Sequence, residues 1–235
     1  MDTTSPGADT SGNTNTFTPS GSPTLTQGSP SNVYANLNSI ALTTRQTLSN
    51  GNLTGTASSW ASAISTIGVT TGKWYAEVKY VDATGNIMVG VMDEKDMSSL
   101  TGSTSGLGFT TNSVGYYSGD GSKYIADITS SYGASYTTNN ILGIALDMTS
   151  ATKTVTFYKN NATQGAINLP TTGTGTFFIG TSATNNGKSS INFGEGFFGT
   201  TAAGTNADGN GQGLFAYAVP SGYYALNTKN LEAYG

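Results

Sequence analysis

The sequence predicts an all-β protein, a two-sheet antiparallel β-sandwich that carries an extended N-terminal arm. Three observations support this. From Val33 onward apolar residues fall in short alternating runs, Gly, Asn, Ser and Thr interrupt them at close intervals, and no stretch repeats its apolar positions with the 3.6-residue period of a helix. The length of 235 residues suits one such domain with an appendage, because a sandwich of roughly 200 residues hides about 70% of the surface of its unfolded chain.

Residues 1–32 form the predicted arm and residues 33–235 the sandwich. In the first 30 positions the apolar side chains are Met1, Ala8, Phe17 and Leu25, set among Ser, Thr, Gly and Pro. So little apolar area does not offset a chain entropy of about 1–2 kcal/mol per residue. The arm is therefore expected to order only against a partner, with Phe17 and Leu25 as its anchoring contacts. Asn50-Gly51, between Thr47-Leu48-Ser49 and Asn52-Leu53-Thr54, predicts a type I′ hairpin, since this pair readily takes two positive φ angles. In the next strand Trp74, Ala76, Val78 and Tyr80 share one face and Tyr75, Glu77 and Lys79 the other, and the first face is expected in the core. Residues 87–92 and 141–148 are nearly continuous apolar runs, hence central strands covered on both sides. Val155 and Phe157, then Ile167 and Leu169, alternate on either side of Lys159-Asn160-Asn161-Ala162-Thr163, which reads as a hairpin loop. Residues 177–180 and 190–193 add two strands, and helix is expected to be scarce.

Composition narrows the chemistry. Without cysteine there is no disulfide, thiol nucleophile or thiolate zinc site, and without histidine the Ser-His-Asp and Cys-His nucleophile systems are absent too. Nine basic against 13 acidic residues give a net charge of −4, which offers no basic surface for a run of phosphates, so nucleic acid is not an expected partner. No apolar run approaches the roughly 18 residues of a membrane span, so no membrane partner is expected. The first residues lack the basic and apolar regions of a signal peptide, and secretion by that route is not expected.

Two acidic motifs remain. Asp93, Glu94 and Asp96 follow the 87–92 strand, and Asp120 lies in a Gly-rich loop able to approach them. A glycosidase would need two carboxyls about 5–9.5 Å apart across a cleft, but acidic clusters beside strands are more often solvated turns, so no catalytic residue is assigned. Asn206-Ala207-Asp208-Gly209-Asn210-Gly211 imitates the first half of a calcium loop, yet its twelfth position is Tyr217 where a bidentate Glu belongs. No metal or cofactor is expected. Asn52-Leu53-Thr54 and Asn161-Ala162-Thr163 fit the glycosylation pattern and read as turns.

Four phrases occur in a fixed order: Gly72-Lys73-Trp74-Tyr75-Ala76-Glu77-Val78, Ile141-Leu142-Gly143-Ile144-Ala145-Leu146-Asp147, Thr154-Val155-Thr156-Phe157-Tyr158-Lys159-Asn160 and Ile191-Asn192-Phe193-Gly194. Together they resemble a SPRY domain over residues 58–227. The resemblance implies a concanavalin-like jelly roll that performs no chemistry and binds partners through loops gathered at one side. Pro30-Ser31-Asn32-Val33-Tyr34-Ala35, Leu48-Ser49-Asn50-Gly51-Asn52-Leu53 and the ending Val219-Pro220-Ser221-Gly222-Tyr223-Tyr224-Ala225-Leu226-Asn227 are similar to SPRY-type virion proteins of tailed bacteriophages. These imply a non-enzymatic structural protein on the particle surface, a capsid decoration or a head- or tail-fibre component made in the host cytoplasm. Its partners would be other virion proteins and its own copies. The alternative is an adhesin that binds a host glycan or envelope protein. Tyrosine offers broad contact area, a polar tip and little entropy loss, so the loops 117–121 and 184–187 are the expected contact surface, with Tyr116, Tyr117, Asp120, Asn185 and Asn186 as partner-binding residues.

Overall fold

The structure, a computed structural model, describes residues 7–9, 12–20, 28–101 and 105–235. The predicted anchor Leu25 lies outside the described residues. Strands form at β1 (Leu37–Leu42), β2 (Gln46–Ser49), β3 (Thr54–Ala57), β4 (Ala61–Ser65), β5 (Lys73–Asp82) and β6 (Ile87–Asp93). After a 3-10 helix at Glu94–Thr101 come β7 (Ser113–Tyr117), β8 (Lys123–Ile125), β9 (Ile128–Ser130), β10 (Ile141–Asp147), β11 (Thr154–Lys159) and β12 (Ala162–Asn168). The chain ends through β13 (Phe177–Ala183), β14 (Lys188–Asn192), β15 (Phe197–Phe198), β16 (Thr201–Ala202), β17 (Tyr224–Ala225) and helix α1 (Thr228–Tyr234).

Two sheets stack as a sandwich. One has the order β1-β4-β13-β6-β7-β8-β9, the other β12-β11-β10-β5-β14-β3-β2, and neighbours in both run antiparallel. The exception is β17, which adds to β5 in parallel, Tyr224 opposite Trp74. Between the sheets lie Trp74, Val78, Ile144, Leu146 and Phe157 from one side and Val89, Val91, Val114, Tyr116, Phe177 and Ile179 from the other, each 0–1% exposed. Each such side chain stabilises the fold by about 1.5–3 kcal/mol relative to leaving it in water. Gly90 is needed where β6 meets β7, since a Cβ there would stand 2.0 Å from the Val114 carbonyl oxygen.

Three expectations need correction. The first face of β5 is core as expected, but Tyr75 and Glu77 on the second are just as buried, at 2% and 0% exposure. The C-terminal segment covers them: Phe215 and Ala225, with Tyr34, pack on Tyr75 and Ala145 as a second apolar cluster. The 50–51 hairpin exists, but its loop spans residues 50–53, with positive φ at Asn50, Gly51 and Asn52. The hairpin loop after β11 is instead tighter than predicted, a two-residue turn at Asn160 and Asn161 with φ of 47° and 69°, the signature of a type I′ turn.

The arm's residues 12–20 are exposed, Phe17 at 76%. The Phe17 N–H donates to the Gly7 carbonyl at 2.8 Å and the Asn15 N–H to Asp9 Oδ2 at 2.8 Å, closing a local loop. Contact with the sandwich begins where Asn32 Nδ2 donates to Gln212 Oε1 and Val33 N–H to Thr228 Oγ1. From there Tyr34 bridges Asn227, and Ala35 N–H donates to the Leu226 carbonyl at 2.9 Å.

Candidate functional site

The register fixes which loops share an end. Ala183 pairs with both Ala61 and Ile87, and Met88 pairs with Tyr117, so residues 58–60, 83–86, 118–122 and 184–187 gather at one end. Backbone bonds knit them: Thr184 N–H to the Asn86 carbonyl at 2.9 Å, Asn186 N–H to Ala57 at 2.8 Å and Ser118 N–H to Ile87 at 3.0 Å. The long segment 131–140 joins them, with Tyr136 N–H donating to the Ser118 carbonyl at 3.1 Å and Asn139 N–H to Tyr80 at 2.8 Å.

These loops enclose a cavity of about 400 Å³ walled by Tyr80, Asn86, Ser118, Tyr136, Asn140 and Lys159. Polar groups dominate it. Lys159 Nζ donates to the Ser135 carbonyl at 2.6 Å, and Asn140 Oδ1 accepts the Thr137 N–H at 2.9 Å. Below lies an inner aromatic cluster: Tyr116 meets Tyr136 at 4.8 Å, Tyr132 at 5.2 Å and Phe157 at 5.5 Å between ring centroids. The Tyr136 hydroxyl donates to the Tyr116 carbonyl at 2.6 Å, and the Tyr116 hydroxyl donates to that of Ala134. Burial raises the Tyr136 phenol well above its ordinary value, so it stays a neutral donor.

The predicted contact residues divide. Tyr116 is 0% exposed and belongs to the core, because its side chain alternates inward with Val114 along β7, so it offers no contact surface. Tyr117 points the other way, half-buried, its ring 5.9 Å from Trp60 and 5.9 Å from Tyr124. With Phe109, 5.5 Å from Trp60 and 5.7 Å from Tyr124, they form an outer aromatic patch. Trp60 and Phe109 carried no signal in the sequence, since each sits in irregular chain beside its strand. Asp120 is exposed at the tip of the 118–122 turn, its Oδ1 accepting the Ser122 N–H at 2.9 Å. Asn185 and Asn186 are exposed at φ of 50° and 65°, on the same end but outside the cavity wall.

Neither acidic motif gathers as the sequence allowed. Asp120 lies at the Ile87 end of β6 and Asp93–Asp96 beyond the other, six residue steps away at about 3.3 Å each. Asp93 is buried and accepts from Lys95, Thr174 and Gly175 N–H groups at 2.7–2.9 Å, which pins the loop before β13. Asp96 accepts two bonds from Asn112. In the calcium-like loop Asp208 takes the N–H groups of Asn210, Gln212 and Ala225 and the amide of Asn230. Among the described residues no cluster of three acidic side chains stands together as a metal site.

The SPRY domain family model matches residues 73–196, the stretch from β5 to just past β14. No curated protein sequence gives a match. Among solved structures, a human SPRY domain overlays with a TM-score of 0.51 at 18% identity, covering 63% of this chain and 94% of that one. The SPRY domain of human HERC1 does so with 0.51 at 17% identity, covering 66% and 96%. The structure of stonustoxin gives 0.53 at 18% identity over 67% of this chain, which spans only 27% of stonustoxin. At such identities the likeness concerns the fold alone. With the family model covering more than half of its length and the two-sheet sandwich in place, the chain belongs to the SPRY domain family.

Proposed function

We propose that this protein is a non-enzymatic display module of a tailed-phage particle, held to a capsid or tail protein by its N-terminal arm and recognising another partner with its loop end. One observation carries the reading: arm and loops attach to different halves of the molecule. The arm reaches the sandwich beside Gln212, Asn227 and Thr228, and β1 then runs from Leu37 towards the loop end. The phage-like stretches around residues 30–35 and 219–227, distant in sequence, are also joined there through Tyr34 and Asn227. An extended arm gains affinity by lying in a groove or adding to a neighbour's sheet, despite the cost of ordering it.

Deleting residues 2–27 is expected to leave a folded protein with unchanged thermal unfolding that no longer incorporates into particles. Normal incorporation of this variant would refute the anchor. The adhesin reading is favoured by the polar cavity beside the aromatic patch, a pairing that suits a sugar ring. It predicts glycan-array binding that Tyr117→Ala abolishes, and no binding on any array would leave display alone.

A further inference from the structure

A smaller cavity, of about 260 Å³, opens on the outer face of β5 and shares no residue with the cavity of the loop end. The pairing of β5 with β14 builds it. Lys79 stands opposite Ser190, and Lys188 precedes Ser190 by two residues on the same face of β14, so the two lysines are diagonal neighbours with Cα atoms about 7–8 Å apart. Thr200 and Thr201 of the β15–β16 hairpin wall the cavity on one side and Asn139 on another, and no Asp or Glu lines it. Nothing answers the charge of this lysine pair. Elsewhere Lys73 meets Asp147, Lys95, Lys153 and Lys159 donate to carbonyl oxygens, and Lys123 lies over the Tyr132 ring. Lys79 and Lys188, both half-buried, make no ion pair, side-chain hydrogen bond or ring contact among the described residues. Asp82, opposite Lys188, is instead engaged by the Thr84 N–H and hydroxyl at 2.9 and 2.7 Å.

Like charges held side by side on one sheet face destabilise it. At the rim Asn139, Thr200 and Thr201 are exposed, and their side chains make no hydrogen bond among the described residues. We propose that this cavity binds a small hydroxylated phosphate monoester, its phosphate between the ammonium groups of Lys79 and Lys188 and its hydroxyls against Asn139, Thr200 and Thr201. Charge count selects the group. A phosphate monoester carries about −1.5 to −2 at pH 7, which two ammonium charges balance, whereas a carboxylate balances one. Lysine, a compact point charge, suits phosphate without the fork geometry of a guanidinium. The net charge of −4 makes the rest of the surface repel anions, so saturable binding of one has to be local. The volume lies below the roughly 300–1,000 Å³ of sites for drug-sized ligands, which suits a ligand the size of one sugar ring. The site does not depend on the display reading.

The test titrates the full chain with glucose 6-phosphate, inorganic phosphate and glucose, by calorimetry and NMR. Glucose 6-phosphate is expected to bind saturably and to move the amide signals of Lys188 and Ser190, inorganic phosphate to bind about tenfold more weakly, and glucose not to bind. Lys79→Gln and Lys188→Gln should each weaken glucose 6-phosphate by about tenfold, the size of one charge-assisted bond, and should unfold at an equal or higher temperature without ligand. Lys229→Gln, at an exposed lysine on α1, should leave binding unchanged. No saturable binding of glucose 6-phosphate, equal binding of glucose, full binding by a folded Lys79→Gln or Lys188→Gln protein, or an equal loss in Lys229→Gln would each overturn the site. Inorganic phosphate binding as tightly as glucose 6-phosphate would overturn the assignment to a hydroxylated monoester. Should a variant not fold, the comparison of the three ligands on the native chain still decides.

Discussion

The loop end and the arm side are held together by different chemistry. At the loop end phenols are buried and their hydroxyls reach backbone carbonyls: Tyr80 to Gly85, Tyr116 to Ala134, Tyr136 to Tyr116. On the arm side buried carboxylates grip backbone N–H groups: Glu77 takes those of Ala216 and Tyr217 at 2.8 and 2.9 Å, and Asp208 those of Asn210, Gln212 and Ala225. A phenol stays neutral when its hydroxyl reaches a carbonyl, and at this end Asp120 stands exposed while Lys159 donates to the Ser135 carbonyl at 2.6 Å. Carboxylates bind several donors at once, which suits a mostly irregular segment, with only the short β17 in the sheet, that has to be pinned across β5.

The difference can be sharpened by substitution. The largest expected effect is Tyr116→Ala, which empties the inner aromatic cluster and should cost about 3–5 kcal/mol in urea unfolding. A cost below about 1 kcal/mol would place Tyr116 at the surface after all. Asp208→Ala strands three N–H groups and the Asn230 amide, and a loss of about 3 kcal/mol is expected. Amide exchange should then accelerate at Ala225 while that of Tyr117 and Ile87 holds.

The acids also predict a pH response. Burial raises Glu77 from 4.5 to about 7, against the lowering pull of its donors from Ala216 and Tyr217. It raises Glu195 from 4.5 to about 8. Each binds its proton more tightly folded than unfolded, so their contribution is fully present below pH 4.5 and is lost as pH rises through 7 to 8. Asp147 acts oppositely: burial alone would raise it, but Lys73 at 2.9 Å and the donors from Ser150 and Thr149 together hold it at about 2. Its contribution is present above pH 3.8 and lost as pH falls towards 2. Urea midpoints should therefore peak near pH 4–5 and fall steadily between pH 5 and 8. Glu195→Gln should flatten that fall, and midpoints that rise from pH 5 to 8 would contradict it.

Smaller effects belong to the loop end. Asn186→Ala puts a Cβ at a φ of 65° and should cost about 1 kcal/mol, whereas Asn186→Gly should be near neutral. Asp120→Ala, exposed with one bond to Ser122, should change stability by less than about 0.5 kcal/mol and act on binding alone.

Alternation and turn residues made the strands legible. Trp74, Ala76, Val78 and Tyr80 gave the inner face of β5, and the Gly and Asn turns gave the hairpins, so the two sheets and the gathering of the 117–121 and 184–187 loops at one end follow from local pattern plus the family resemblance. What covers Tyr75 and Glu77 was not legible, because the covering residues lie about 140 positions later in chain without periodicity. A Glu in mid-strand beside Tyr75 was the only sign that this face needed donors. Tyr116 was misplaced for a different reason: Val114 and Tyr116 do alternate, but glycines on either side disguise β7 as loop. Asp208 was readable only as a mimic of a calcium ligand, since donors from residues 210–230 come together only in the fold.

The proposed division of labour between the two halves is checked by photocrosslinking, with a photoreactive residue placed once at Phe17 and once at Tyr117 during growth in the producing cells. Position 17 is expected to capture one polypeptide and position 117 a different molecule. Capture of one and the same polypeptide from both positions would contradict it.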